Sequence, residues 1–323
     1  MDELEKERQL FLEDSKKEKW QRVTKIGLVL IAIFIIMTID LLTNSGIEIT
    51  EDFYKFEGLF SFFDYHTIYF YIFIFISIIC TMLVIIKFSK GYSQKAYQRY
   101  KQVYKRQIVL PALNEIFEDA QVYDGGFSSK DMSDIGLINI GTHYKSEDSF
   151  KGKYNKVPFE AAEIYTYHKV YRNDRNEKVI DFNGNYYIFE FNKNFKGNMK
   201  VFPEGETSGS KEKGIKIADL DLENIKFNEK FRVITEDEHL AYYILTPQLM
   251  EKMIKLNEEF IDVSFAFIDN KLHMAVSTTR ENLFEFSPYE KLNIEEETKS
   301  VKESMIVLTQ IVDMLNLDND LFK

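Results

Sequence analysis

Two long apolar blocks near the start of the chain constrain its folding more than any other feature. The first, residues 26–42, reads IGLVLIAIFIIMTIDLL, and the second, residues 67–86, reads TIYFYIFIFISIICTMLVII. As helices rising 1.5 Å per residue they extend about 25 and 30 Å, close to the thickness of a bilayer's hydrocarbon core. Each Leu, Ile, Val or Phe at the centre of such a helix favours insertion by about 0.3–0.6 kcal/mol, so each block gains several kcal/mol. A buried core helix of a water-soluble domain is usually shorter and broken by polar residues. The expectation is a transmembrane hairpin over residues 26–86, with an outer loop at 43–66. A cleaved signal peptide does not fit, because the charged segment DELEKERQLFLEDSKKEKWQR precedes the first block. Residues 1–25 are read as a short solvated helix leading into the membrane.

Orientation follows from Lys and Arg. Lys16, Lys17, Lys19, Arg22 and Lys25 precede the first block, and Lys87, Lys90, Lys95, Arg99, Lys101, Lys105 and Arg106 follow the second. The connecting loop has Lys55 alone. The positive-inside rule places both termini in the cytoplasm, which for a bacterial chain means the inner membrane. The aromatic residues of the loop are expected at the outer headgroup level. Asp40 is the ionisable residue within the blocks. An intramembrane acid costs about 2.5–3.5 kcal/mol on insertion scales and invites a functional reading, yet Asp40 lies close to the outer end of its block. Cys80 is the one cysteine and lies in the second block, which excludes a disulfide scaffold and a cysteine metal cluster.

Residues 87–123 are expected to form a basic stem helix, with Tyr97, Tyr100, Tyr104 and Ile108 at helical spacing and a kink near Pro111. Its lysines and arginines, with Lys87, Lys90, Lys95, Arg99 and Lys101 nearest the membrane, are candidates for contact with anionic headgroups. From residue 107 onward there are 26 Lys and Arg against 39 Asp and Glu, a net charge of −13. So acidic a domain argues against nucleic acid as a general ligand.

Residues 124–323 read as a cytoplasmic α+β domain, mostly antiparallel sheet with segregated helices. EIYTYHKV and the run around YYIFEFN are β-branched and aromatic, split by the polar turn RNDRNEK, and MKVFP continues the sheet. GETSGSKEKG is a linker, since its spacing fails the phosphate-loop pattern. FRVITEDEHLAYYIL is expected as a hairpin turning at Glu236–Asp237–Glu238 and VSFAFIDNKLHMAVS as another turning at Asp269–Asn270. Thr246–Pro247 should cap and start a helix with Leu249, Met250, Met253 and Ile254 on its apolar face. A last helix over 299–315 should bury Val301, Met305, Ile311, Val312 and Leu315.

The five histidines, His66, His143, His168, His239 and His273, form no HExxH or HxH arrangement, and no nucleophile elbow or dinucleotide turn appears. No cofactor, metal or catalytic residue is assigned.

Several motifs carry a resemblance. Phe182 and Gly184 in DFNGNYYIFEF, the run Phe191-Asn192-Lys193 with Phe195-Lys196-Gly197, and Phe227-Asn228-Glu229-Lys230-Phe231 recur in order. So do Ala241–Pro247 with Met250, and SFAFIDNKLHMAVS; Tyr104-Lys105, Glu147-Asp148 and Lys151-Gly152 precede them. Over roughly residues 100–316 the chain resembles the bacterial family of domain of unknown function 3137. The resemblance implies N-terminal transmembrane helices and a setting beside LemA-like membrane proteins; it supplies no enzymatic residues.

Three functions stay open. One is a membrane-anchored interaction or scaffold module, joined to a protein partner or to itself. Another is a membrane-associated enzyme acting on a lipid or envelope precursor, which a deep pocket lined by His168 or Glu163 would favour. The last is a transport or channel subunit using Asp40.

Overall fold

The computed structural model describes residues 2–44, 74–76, 78–79, 81–83, 93–172, 175–190, 197–205, 220, 222–235, 237–278, 283–284, 286–315 and 317. The chain divides into two compact units, residues 1–103 with 288–290, and residues 104–287 with 291–323.

The first unit is built on helix α1 (Asp2–Asn44). Its buried positions Leu4, Phe11, Ser15, Val23 and Gly27 form one stripe. Helix α2 (Gln94–Tyr104) answers with Ala96 and Tyr100, and Ser93 just before it is also buried. Ser15 Oγ accepts a hydrogen bond from the Ser93 amide at 3.4 Å, the Phe11 and Tyr97 rings lie 6.1 Å apart, and Asp14 pairs with Arg99 at 3.2 Å. Position 15 thus meets 93 and position 11 meets 97, an antiparallel register. The same register reaches the apolar blocks. A Cβ on Gly27 would lie 3.0 Å from Met82 Cε, so the end of that side chain packs against the glycine. The N-terminal segment and the stem, read separately from the sequence, pair with one another.

The sheet of the second unit contains β1 (Glu118–Val122), β2 (His143–Tyr154), β3 (Val157–Arg172), β4 (Arg175–Glu190), β5 (Asn198–Pro203), β6 (Phe231–Thr235), β7 (Ile261–Ile268) and β8 (Lys271–Ser277). Among the described residues these form one eight-stranded sheet, antiparallel throughout, in the order β1-β2-β3-β4-β8-β7-β5-β6. Two hairpins close on residues with left-handed backbone, Asn155–Lys156 and Asp269–Asn270, with φ between 47° and 67°. That pair of positive φ values gives a two-residue turn whose twist matches the flanking strands. The second of these turns stands where the sequence placed it.

The remaining helices are α3 (Leu110–Asn114), α4 (Ser129–Ile135), α5 (Ile225–Lys230), α6 (Glu238–Ile244), α7 (Pro247–Glu259), α8 (Ile294–Ser304) and α9 (Ile306–Leu315). Helix α7 packs on β7, with α5 and α9 against it, and α8 packs on α3. Thr246 Oγ accepts from the Leu249 amide and Pro247 occupies the first turn, as the Thr-Pro pair predicts. The other face of the sheet holds a core of Met132, Leu137, Ile138, Ile164, Tyr186, Phe202, Ala266 and Ala275, closed by α4 and the segment after it. The α+β expectation is met, with an eight-stranded antiparallel sheet at its centre.

Several local expectations are corrected. The stem helix does not continue to residue 123: helix ends at Asn114, and Glu118–Val122 is an edge strand. The irregularity expected at Pro111 lies just before it, in a π-helical turn over Lys105–Val109 where the Leu110 amide bonds back to the Lys105 carbonyl. Proline brings no N–H to its own turn and crowds the preceding one, and widening that turn accommodates the ring. The hairpin expected at 236–238 is instead a strand followed by helix α6, whose start Asp237 caps by accepting from the His239 and Leu240 amides. Leu240, Ala241 and Ile244 are buried on that helix at helical spacing. The last helix is two, meeting at Met305, and all five predicted core residues are buried.

The transmembrane expectation is coarser in outcome. Among the described residues no helix is long and apolar enough to cross a membrane. Residues 45–66 of the loop, more than half of the second block, the linker GETSGSKEKG beyond Gly205, and Lys87 and Lys90 lie outside the described residues, and so does the side chain of Asp40 on α1.

Candidate functional site

Strands β3 and β4 run past their neighbours. The β2 register ends at His143 against Tyr167, and the β8 register with β4 ends at Ser277 against Gly184. Among the described residues, the strand pairing of 168–172 and 175–182 is therefore with each other alone, closing at Arg172 against Arg175. A two-stranded ribbon is marginally stable in water unless something braces it. Each face of this one has a brace.

One face carries His168. The β3–β4 register slips between Thr166 and Tyr167, leaving Asp181 as an extra residue in β4. Such a bulge re-aims a side chain, and here Asp181 turns to His168. The His168 Nδ1 lies 2.9 and 2.8 Å from the two Asp181 oxygens. Asn139 Nδ2 donates to Asp181 Oδ1 at 2.8 Å, its own Oδ1 accepts from the Gly141 amide at 3.1 Å, and Thr166 Oγ1 donates to the Asn139 carbonyl at 2.7 Å. Gly141 adopts φ +60°, and a Cβ there would sit 2.4 Å from Asp181 Oδ2. The Asp181 carboxylate is 4% exposed and the imidazole 35%. A carboxylate only accepts, so Nδ1–H donates to Asp181.

The opposite face is an aromatic and cationic ladder. Lys178 Nζ stands 4.5 Å from the Tyr165 ring centroid and 4.3 Å from that of Tyr167, on whose ring His143 stacks at 4.3 Å. Each such cation–π contact at an exposed site contributes about 0.5–1 kcal/mol. Tyr171 and Ile180 remain 70% and 56% exposed. Beside the ladder is a cleft of about 310 Å³ bounded by Lys145, Glu163, Tyr165, Lys178, Ile180 and Asn183. Glu163 also borders a second cleft, of about 290 Å³, and accepts from the Leu283 amide at 2.8 Å. Side chains alternate along a strand, so Glu163 and His168 lie on opposite faces of β3. Of the two groups named as markers of an enzyme pocket, Glu163 borders these two clefts and His168 borders neither.

In the second unit, Lys105 on the π-helical turn lies 3.0 Å from Asp148 and donates to the Tyr123 carbonyl at 2.8 Å. Both side chains are about 95% buried, and Asp148 sits in the β2 bulge at φ 52°. The motif pairs Tyr104-Lys105 and Glu147-Asp148 are thereby joined as a buried ion pair. Tyr104 donates to Glu297 at 2.6 Å and stacks on Phe286. At Gly184, a Cβ would fall 2.1 Å from the Val276 carbonyl, so this motif glycine permits the close approach of β8. Gly197, the last residue of the run beginning at Phe191, has φ 139°, while 191–196 lie outside the described residues.

Of the candidate headgroup-binding residues, Lys95 and Arg99 are exposed, Arg99 beside Asp14, whereas Lys101 is buried. No group of three or more His, Cys, Asp or Glu able to hold a metal occurs among the described residues.

The motif residues of β4, α5, α6, α7, β7 and β8 all belong to this one sheet and its covering helices. Residues 180–317 match the family model described as "Protein of unknown function (DUF3137)". The resemblance read from the motifs is shown over that stretch. The DUF3137 match begins inside β4, one residue before Asp181, and so leaves His168, Lys105 and Asp148 upstream of it. No curated protein matches the chain. Among solved structures, it is similar to the crystal structure of the mycobacterial trehalose monomycolate transport factor A, TtfA, at a TM-score of 0.31 and 10% identity, covering 63% of this chain and 91% of that one. So slight a likeness carries no argument about this chain.

Proposed function

We propose that the chain is a membrane-anchored interaction module of the bacterial inner membrane, whose α+β domain works on the cytoplasmic side. The observation that carries this reading is the contact of the two apolar blocks at Gly27 and Met82 while many of their described aliphatic side chains are exposed. Leu28, Val29, Ile31 and Ile36 on α1 and Phe75, Ile76 and Leu83 on the second block are 53–67% exposed. A small residue where two helices touch, with large aliphatic residues facing outward, suits a helix pair in lipid, where packing rather than hydrophobicity holds helices together. In water the same surface would drive aggregation. The lysine and arginine asymmetry sets both ends inside. Of the described basic residues near the membrane, Lys95 is exposed, whereas Arg99 shares its charge with Asp14 and Lys101 is buried.

The domain's role as a binding module is supported by the projecting β3–β4 ribbon and by the separation of His168 from Glu163. The partner belongs to the envelope, a LemA-like membrane protein being one to try, or is a second copy of the chain. Alkaline carbonate extraction of membranes from cells expressing the full chain tests the anchor. The protein is expected to stay in the pellet; release into the supernatant would overturn the reading.

A further inference from the structure

Resting on the binding-module reading above, we infer that the free edge of β4 over residues 175–182 receives an extended acidic segment of a partner protein as an added strand, with a partner carboxylate seated on Lys178. Three observations lead to this.

Among the described residues, no strand pairs with this edge. Strand β8 stops pairing with β4 at Gly184. The Thr278 amide still bonds to the Asn183 carbonyl at 2.9 Å, but by Leu283 the backbone has crossed to Glu163 on β3. The stretch left open is as long as an ordinary strand. The ribbon is also braced for the task, since the Asp181 bulge, His168 and Asn139 fix β4 from behind.

The second observation is the position of a side-chain site. In strand addition, backbone hydrogen bonds give affinity and pockets for alternate side chains give specificity. The 310 Å³ cleft borders this same edge, with Lys178, Ile180 and Asn183 of β4 in its wall.

The third observation is charge. Lys178 lies over the faces of Tyr165 and Tyr167, and among the described residues no carboxylate pairs with it. Its neighbours Lys145 and Glu147 are paired with each other. The segment from Lys169 to Lys178 adds Lys169, Arg172 and Arg175, four cations against Asp174 and Glu177, in a chain whose net charge is −11. A cationic, tyrosine-lined edge on an acidic protein complements a strand that alternates acidic with apolar residues: apolar side chains meet Ile180 and the tyrosines, and an acid meets Lys178.

The test uses the full chain in phosphatidylcholine nanodiscs and two fluorescent 12-residue peptides, one alternating Glu and Val, the other Lys and Val. Fluorescence anisotropy should show the Glu/Val peptide binding, weakening as salt rises. Lys178→Glu, at an exposed position, should weaken that binding at least tenfold and confer binding of the Lys/Val peptide. Ile180→Asp should weaken binding of the Glu/Val peptide as well. No binding of the Glu/Val peptide, or binding unchanged in Lys178→Glu, overturns the proposal. So does a result in which Lys178→Glu loses only attachment to phosphatidylglycerol vesicles, which would assign the lysine to lipid, or only self-association in sedimentation. Carbonate extraction reads the anchor independently of peptide binding, so failure of one does not imply failure of the other.

Discussion

At the scale of single residues, the second unit keeps several polar groups in dry surroundings. His273 is 5% exposed, with the Tyr186 hydroxyl 3.3 Å from its Nδ1, and burial pushes its pKa down to about 4. Burial likewise raises the Tyr186 and Tyr187 phenols far above their ordinary range, so both stay neutral. A histidine whose pKa falls on folding binds its proton more readily in the unfolded chain, so its contribution is complete above the unfolded value near 6.5 and is lost as pH falls toward 4. The full span of that loss is about 3 kcal/mol. Thermal melts of the full chain in mild detergent between pH 7 and pH 4 should show it, and His273→Gln should flatten the slope; an unchanged slope would contradict the burial. The Lys105–Asp148 pair is of another kind. Its charges compensate each other in dry surroundings, and removing one partner of such a buried pair costs about 3–5 kcal/mol. Lysine and aspartate 43 positions apart cannot be matched from spacing. The motif resemblance marked both residues, but only the meeting of a π-helical turn with a bulge explains why they belong together.

At the scale of elements, the sequence was most legible where local chemistry suffices. The Thr-Pro helix start and the Asp-Asn hairpin stand as read, because cap and turn are written within a few residues; the strand runs of β3 and β4 stand too, but the polar RNDRNEK read as their turn is mostly strand, with Arg172 and Arg175–Lys178 in the ladder. It was least legible where a short segment has strand-like composition but helical partners. HLAYYIL has the tyrosine and isoleucine of a strand, yet Asp237 caps it and places Leu240, Ala241 and Ile244 on one buried face. Asp237→Ala should therefore cost about 1 kcal/mol and lower hydrogen-exchange protection across residues 238–244. Unaltered protection there would favour the hairpin that the sequence suggested. The Asp181 bulge was not legible, since a one-residue slip is fixed by the pairing of whole strands. The pairing of α1 with α2 was hidden for a similar reason: Phe11, Ser15 and Gly27 mark a stripe, but nothing local says which helix it faces.

At the scale of the whole molecule, composition divides the chain better than it explains it. Two apolar blocks flanked by basic residues, followed by an acidic domain, already set the proposed anchor apart from the rest of the chain. The α+β class followed from strand and helix patterns, while the strand order, with β8 and β7 inserted between β4 and β5, is a property of long-range pairing that no window of sequence contains. The central claim is that one end of the molecule spans a membrane with both termini inside. Cysteine mapping tests it most directly. In a Cys80→Ser background, Lys55→Cys should react with a membrane-impermeant maleimide in intact spheroplasts, and Lys95→Cys only after the membrane is opened. Labelling of Lys95→Cys from outside, or protection of Lys55→Cys until lysis, would contradict the account.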